Sequence, residues 1–410
     1  MHSLPATHLE LAAWLRLSLA PGLKPAALRL LLCTFGLPQA ILERSPDELA
    51  EVAGMAAARA ALAPPGPSFD AQLDAVLAWR ASAGNQLVTL DDPAYPPALL
   101  TMPDPPPLLY IKGRLELLHA RAVALVGSRS ATPQGVEDAE RFARELSAAG
   151  VTIVSGLALG IDGAAHRGGL TGVGSTVAVI GTGADLVYPS AHHSLARRIA
   201  EEGAILSEWP LGTPARAAHF PQRNRLIAGL VSGVVIVEAA MRSGSLITAR
   251  LANEMGRDIF ALPGSIHAPL SRGCHRIIKQ GAKLVETPSE VLEELGFARQ
   301  PAAAQATEAA HTARMSIAPT AGNAAAPTTG AQAGQVESGT TAPGTVETEK
   351  LLAALGHSPA TLEILAARTE MEDSALQTAL LQLELAGQIT LLPGGRFTRA
   401  SRDRPHSGPG

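Results

Sequence analysis

Two strand–turn–helix units lie end to end between Ala122 and His166, and they limit the possible folds more than any other stretch. Residues 122–127 (AVALVG) form a short, almost wholly apolar run, the pattern of a strand buried on both faces of a parallel sheet. The run breaks into Gly127-Ser128-Arg129-Ser130, and a helical pattern from about Pro133 to Ala149 stops at Gly150. A second buried strand, residues 151–155, breaks into Gly156-Leu157-Ala158-Leu159-Gly160-Ile161-Asp162-Gly163 and opens a helix through Ala164, Ala165 and His166. Small-residue turns at consecutive strand ends set free N–H groups and helix N-termini along one sheet edge. Open α/β folds bind ligands at that edge, and the dipoles there favour anions such as phosphate. Tight turns need glycine in any case, and the strict G-x-G-x-x-G fingerprint is absent, so the turns alone leave both readings open.

Strands and helices continue to alternate up to residue 297. Further strands are expected at 176–180, 203–207, 234–237, 258–261 and 283–285, with helices at about 192–202, 223–231, 245–256, 271–280 and 288–296. This alternation with short connections predicts an α/β fold built on a doubly wound parallel sheet. Nearly every strand ends in a small or polar turn: Gly181-Thr182-Gly183, Ser207-Glu208-Trp209-Pro210, Glu238 to Gly244, and Pro263-Gly264-Ser265. Several such turns along one edge point to an extended site rather than a single-nucleotide pocket.

The flanks differ in character. Residues 1–85 read as a helical accessory domain, Ala- and Leu-rich, with Ser45-Pro46-Asp47-Glu48 starting one helix. Leu19 to Lys24, followed by a helix over 26–35, resembles a helix–hairpin–helix turn, although a small bundle that only packs is the simpler reading. Strands at 86–90 and 108–112, joined by a Pro-rich crossing that forbids a long helix, extend the sheet and start the core domain, 86–297. Residues 298–346 hold almost no large apolar side chains and are expected to form a disordered linker. Helices at roughly 347–355, 358–367 and 373–386, then a hairpin of 388–392 and 396–398, predict a winged helix over 347–400. Its third helix carries no Lys or Arg, so protein binding or packing suits it better than reading a duplex.

A formal net charge of −4 over 410 residues excludes a generally basic nucleic-acid coat and leaves room for a local basic groove. Cys33 and Cys274 lie far apart and suggest no disulfide framework, which fits a reducing cytosol. No secretory leader pattern and no long charge-free apolar run appears, so no membrane role is expected.

Arg129 follows a strand directly, where its forked guanidinium would face a bound phosphate. Phe220-Pro221-Gln222-Arg223-Asn224-Arg225 gathers an aromatic, two guanidiniums and an amide at a helix start. That grouping suits a single strand: arginines meet phosphates, the ring stacks a base, and Asn bonds a base edge. A Phe packed under the sheet edge is the rival reading. Glu238 ends the most apolar strand and would act as a general base or orient Arg223 or Arg225, and Ser245 would cap the next helix. Asp162, Asp185, His166 and His192 stand isolated and read as solvated or satisfied groups. No metal-ligand spacing, Walker A, G-x-S-x-G or paired-carboxylate arrangement appears, so neither a metal nor a cofactor is expected.

These residues resemble the DNA-processing protein A (DprA/Smf) family. The resemblance runs collinearly over about 90–297: Val126 to Arg129, Ser155 to Asp162, Gly181 to Gly183 with Tyr188-Pro189, Ser207-Glu208, Phe220 to Leu230, Glu238 to Ala240 with Ser243 to Ser245, Pro263-Gly264, and Ile278 to Ala282. The sequence departs from the commonest pattern at His192 and His275, where many members carry Asn. The resemblance implies a cytoplasmic, non-enzymatic protein with an extended Rossmann-like core that binds single-stranded DNA. It further implies a homodimer that protects incoming DNA and loads the RecA recombinase during natural transformation. Carried over by motif, the DNA groove would use Gly127, Ser128, Arg129, Ser155, Gly156, Phe220, Arg223, Asn224, Arg225, Gly244, Ser245 and Lys279. The rival class is a Rossmann-like enzyme that cleaves N-glycosidic bonds of nucleotides, with Glu238 and Arg242 as its candidate residues and a closed pocket as its mark.

Overall fold

The computed structural model describes residues 7–297, 346–355, 359–392 and 396–400. Contacts divide the chain into two units, Met1–Phe297 and Ala298–Gly410. The expected linker, except for its last residue, and the turn of the C-terminal hairpin lie outside the described residues.

The first unit is built on one sheet of β1 (Asn85–Thr89), β2 (Leu108–Gly113), β3 (Ala122–Val126), β4 (Thr152–Ser155), β5 (Thr176–Val179), β6 (Ala204–Ser207), β7 (Gly233–Ile236), β8 (Asp258–Ala261) and β9 (Lys283–Leu284). Their spatial order is β1-β2-β6-β5-β4-β3-β7-β8-β9. From β6 to β9 every neighbouring pair is parallel, while β2 runs antiparallel to both β6 and β1. The chain winds outward from β3 through β4, β5 and β6, then crosses back to lay β7 on the other side of β3. The strand order therefore reverses between β3 and β7, and ligand crevices open at such a point. The sheet is the doubly wound one expected.

Alternation within the strands separates two cores. Val123 and Leu125 of β3 pack with Phe142, Ala143 and Leu146 of the helix Pro133–Ala148 and with Ile161 and Ala164 of the helix Ile161–Gly169. Ala124 and Val126 point to the opposite face, against Leu226, Ile227, Ala249 and Ala252 of the helices His219–Leu230 and Ser245–Glu254. Every β3 side chain is buried, as its unbroken apolar run demands. The sheet's two rims are managed differently. Helix Phe69–Arg80 packs beside β1. At the far rim β9 has two residues, and Lys283 there bonds Asp258 and Glu294 at 3.0 and 2.6 Å.

Three helix starts differ from the sequence reading, each for a local reason. Ile161–Gly169 begins three residues before Ala164, because Gly160, with φ +72°, turns the chain where a Cβ would stand 2.3 Å from the Ser128 carbonyl oxygen. His219–Leu230 begins four residues before 223, because Pro221 sits in its first turn, where a missing N–H leaves no bond unmade. Ser245 is the first residue of its helix rather than the cap; Gly244 holds the cap position, and the Ser245 hydroxyl bonds that of Ser243 at 2.6 Å.

The N-terminal part is helical, with six helices between His8 and Arg80, and Ser45 caps Pro46–Ala53 as its sequence predicts. The second unit shows the helices Val346–Leu355, Leu362–Thr369 and Asp373–Leu385 with a wing of Ile389–Leu392 and Arg396–Arg399. Its middle helix starts later than expected, because Ala360 and Thr361 pair with the wing and Thr361 then caps the helix. Among the described residues, no helix is long and apolar enough to cross a membrane.

Candidate functional site

A cleft of about 790 Å³ opens where the strand order reverses. One side is the turn Gly127–Ser130 that follows β3, with Ala158 and Asp162 beyond β4. The other is the loop 240–244 after β7 and the start of Ser245–Glu254. Tyr188 after β5 and Ala215–Ala217 after β6 extend it, and the first turns of His219–Leu230 make its floor. The cleft thus gathers turns from five strand ends.

Phe220 is its hub. The Arg129 guanidinium lies over the half-buried ring at 5.0 Å from the centroid, that of Arg223 at 5.9 Å, and the Tyr188 ring at 5.7 Å with a 49° tilt. Arg129, Arg216 and Arg242 are exposed along the cleft, and no carboxylate pairs with them among the described residues. Asp162 is the one carboxylate in the lining, and it is turned inward. The site is therefore locally cationic within a chain of net negative charge.

Below this surface the groups are locked. Arg223, 5% exposed, donates to the Gly156 carbonyl at 2.7 Å and to Asn224 Oδ1 at 3.2 Å, with Asp162 Oδ2 at 4.0 Å. The same Asp162 oxygen accepts from the backbone N–H groups of Gly156 and Ala158 at 3.1 and 3.4 Å. Burial pushes the Asp162 carboxyl above its ordinary range, against the pull of Arg223 and those N–H groups. A Cβ at Gly156 would stand 1.6 Å from Arg223 Nη1, so the glycine leaves the room that this guanidinium position takes up. Leu157 takes φ +60°, and two histidines hold it there. Its N–H donates to His166 Nε2 at 3.2 Å, and its carbonyl accepts from His192 Nδ1 at 3.0 Å. His166 is fully buried with Nδ1 on Thr176 Oγ1 at 2.8 Å, and burial first, then the charges of His192, Arg223 and Arg167, push it down to about 3.

Of the residues expected in the groove, Gly127, Ser128, Arg129, Phe220, Arg223, Asn224, Gly244 and Ser245 line the cleft. Ser155 is buried beneath it, donating to the Leu125 carbonyl at 2.6 Å, and Gly156 lies there too. Two others stand elsewhere. Arg225 faces away, held by the Asp104 carbonyl at 2.6 Å and by the Glu208 carboxylate, whose burial pushes it up to about 7. Lys279 is exposed at the end of the helix Arg272–Lys279 and does not line the cleft. Glu238 is half-buried and accepts from the Thr132 hydroxyl and N–H at 2.6 and 3.0 Å, bonding neither Arg223 nor Arg225. Arg216 and Tyr188 were not expected there. Arg216 sits in an aperiodic Gly/Pro/Ala loop, and only the fold brings it to the site.

Residues 86–296 match the family described as DNA recombination-mediator protein A, and residues 335–395 match the DprA winged helix domain. Protein Smf of Escherichia coli (strain K12) is 40% identical over 335 residues, covering 81% of this chain and 83% of that protein. DNA processing protein DprA of Streptococcus pneumoniae (strain ATCC BAA-255 / R6) is 50% identical over 208 residues, 51% of this chain and 73% of that one. The X-ray structure of DNA processing protein A from Streptococcus pneumoniae superposes with a TM-score of 0.60 at 39% identity, covering 70% of this chain and 98% of that chain.

Proposed function

Because the chain belongs to the DNA recombination-mediator protein A (DprA/Smf) family, we propose that its cleft binds single-stranded DNA and that the bound strand is passed to a RecA-type recombinase. The observation that carries this reading is the Phe220 cluster: an aromatic hub under Arg129, beside Tyr188, with Arg216 and Arg242 exposed along the same cleft. Arginines that track phosphates beside aromatic rings are the recurrent chemistry of single-strand sites. The relatives' names, recombination mediator and DNA processing protein, support a role in handling DNA during recombination. We read the protein as a homodimer acting in the cytoplasm, with 1–85 as an accessory domain, 86–297 as the binding core, 298–346 as a linker and 347–400 as a winged helix that contacts protein rather than duplex.

A nucleotide-cleaving enzyme is the weaker reading. Its candidate acid, Glu238, does not line the cleft and spends both carboxylate oxygens on Thr132. The deciding experiment is a fluorescence-anisotropy titration with labelled dT oligonucleotide, single-stranded against duplex, at two salt concentrations. Tight, salt-sensitive binding that prefers the single strand is expected. Absence of binding at low salt would overturn the reading and favour a screen for nucleotide hydrolysis.

A further inference from the structure

The Phe220 ring, the obvious base platform in the sequence, is already occupied: Arg129 and Arg223 both lie over it, and it is half-buried. Tyr188 is different. It lines the same cleft, is 50% exposed, and meets Phe220 with its plane tilted by 49°. No guanidinium lies over its ring among the described residues. The ring is also well supported. His192, a few residues along the same segment, is anchored to the Leu157 carbonyl at 3.0 Å, and Thr182, a few residues before it, bonds the Leu186 carbonyl at 3.0 Å. A large apolar face left open to water in a cationic cleft, on a braced segment, matches what a stacking site requires.

We propose that Tyr188 is the base-stacking residue of the cleft, and that it sets the preference for single strands over duplex. The inference rests on the single-strand reading above and deepens it. The division of labour is physical. Arg129, Arg216 and Arg242 are attracted to phosphates, which single and double strands both present. A base offers its π-face only when unstacked from its neighbours, so a ring in the cleft rewards the single strand alone. Phe220 then serves as a pedestal that holds Arg129 at phosphate height and sets the tilt of Tyr188.

The test compares wild type, Tyr188→Ala and Tyr188→Phe in the full chain. Each is titrated with a dT oligonucleotide, the same oligonucleotide with abasic sites throughout, and a duplex, and a 5-iodouracil oligonucleotide is photocrosslinked and mapped. Tyr188→Ala is expected to lose about ten-fold in single-strand affinity, the equivalent of one stacked base. Its duplex and abasic affinities and its salt slope should match wild type, Tyr188→Phe should restore binding, and the crosslink should fall on Tyr188. Unchanged single-strand affinity in Tyr188→Ala, an equal loss on the abasic strand, or failure of Tyr188→Phe to rescue would each overturn the inference while leaving the groove in place. Wild type that binds no oligonucleotide would instead overturn the single-strand reading itself.

Discussion

The Arg223 guanidinium and the Asp162 carboxylate, 5% and 8% exposed at the side chain, approach to 4.0 Å beneath the cleft. Each is bound more closely by backbone than by the other: Arg223 by the Gly156 carbonyl, Asp162 by the N–H groups of Gly156 and Ala158. The pair thus clamps one turn, 156–158, from both sides.

Breaking that clamp should be costly. Asp162→Asn keeps an oxygen for the two N–H groups and leaves Arg223 as an uncompensated buried charge, so a loss of about 3 kcal/mol is expected. Urea denaturation monitored by circular dichroism measures it. An unchanged midpoint would mean that the backbone bonds alone hold the turn.

On the cleft surface, Arg129→Ala should weaken oligonucleotide binding equally for all sequences and flatten the salt slope by roughly one unit. Phe220→Ala should lower affinity by about 0.5–1 kcal/mol, through loss of the ring that holds Arg129. Since the guanidinium rests on the ring, the double variant should lose less than the two single losses added together. Strict additivity in anisotropy titrations would show that Phe220 does not position Arg129.

Acid should destabilise this protein through His166. The unfolded side chain takes up a proton near 6.5, whereas the folded one does so only near 3. Between those values the unfolded chain binds the extra proton, so each unit of acidification below 6.5 favours unfolding by about 1.4 kcal/mol. Thermal melts from pH 7 to 4 should show the decline, and His166→Gln should flatten it. A parallel decline in that variant would assign the effect to other groups.

Much of this was legible in the sequence, for identifiable reasons. The strands announce themselves because both their faces are buried, which leaves runs such as AVALV with no polar position. The switch-point turns follow from those strands. Arg223 and Arg225 were harder to separate: as neighbours in the text they form one basic cluster, yet two residues along a helix turn through about 200°, so they face opposite sides. One enters the cleft floor and the other binds Glu208 and Asp104. Arg216 left no periodic signal, and the occupation of Phe220 by guanidiniums depends on contacts between segments 91 residues apart, Arg129 and Phe220, that no local pattern records.

The first unit should bind without the second, because, among the described residues, those lining the cleft all belong to Met1–Phe297. A chain ending at 297 should keep the oligonucleotide affinity of the full chain within a factor of about two to three. A collapse of affinity in the truncated chain would place part of the site in the winged helix.

β2 runs antiparallel along β6, with Tyr110 opposite Ser207 and Gly113 opposite Ala204, and so occupies the backbone groups of an otherwise open parallel edge. At the other rim β9 is two residues long and begins at an ion-paired lysine. At high protein concentration sheets meet in repeated close encounter, and unpaired strand edges would then zip one molecule to the next. The hairpin of β1 and β2 in that sense moves the sheet's rim away from the core strand β6 to β1, beside which the helix Phe69–Arg80 packs. An excised core should keep it, and a fragment starting after it, at 122, should precipitate as it is made.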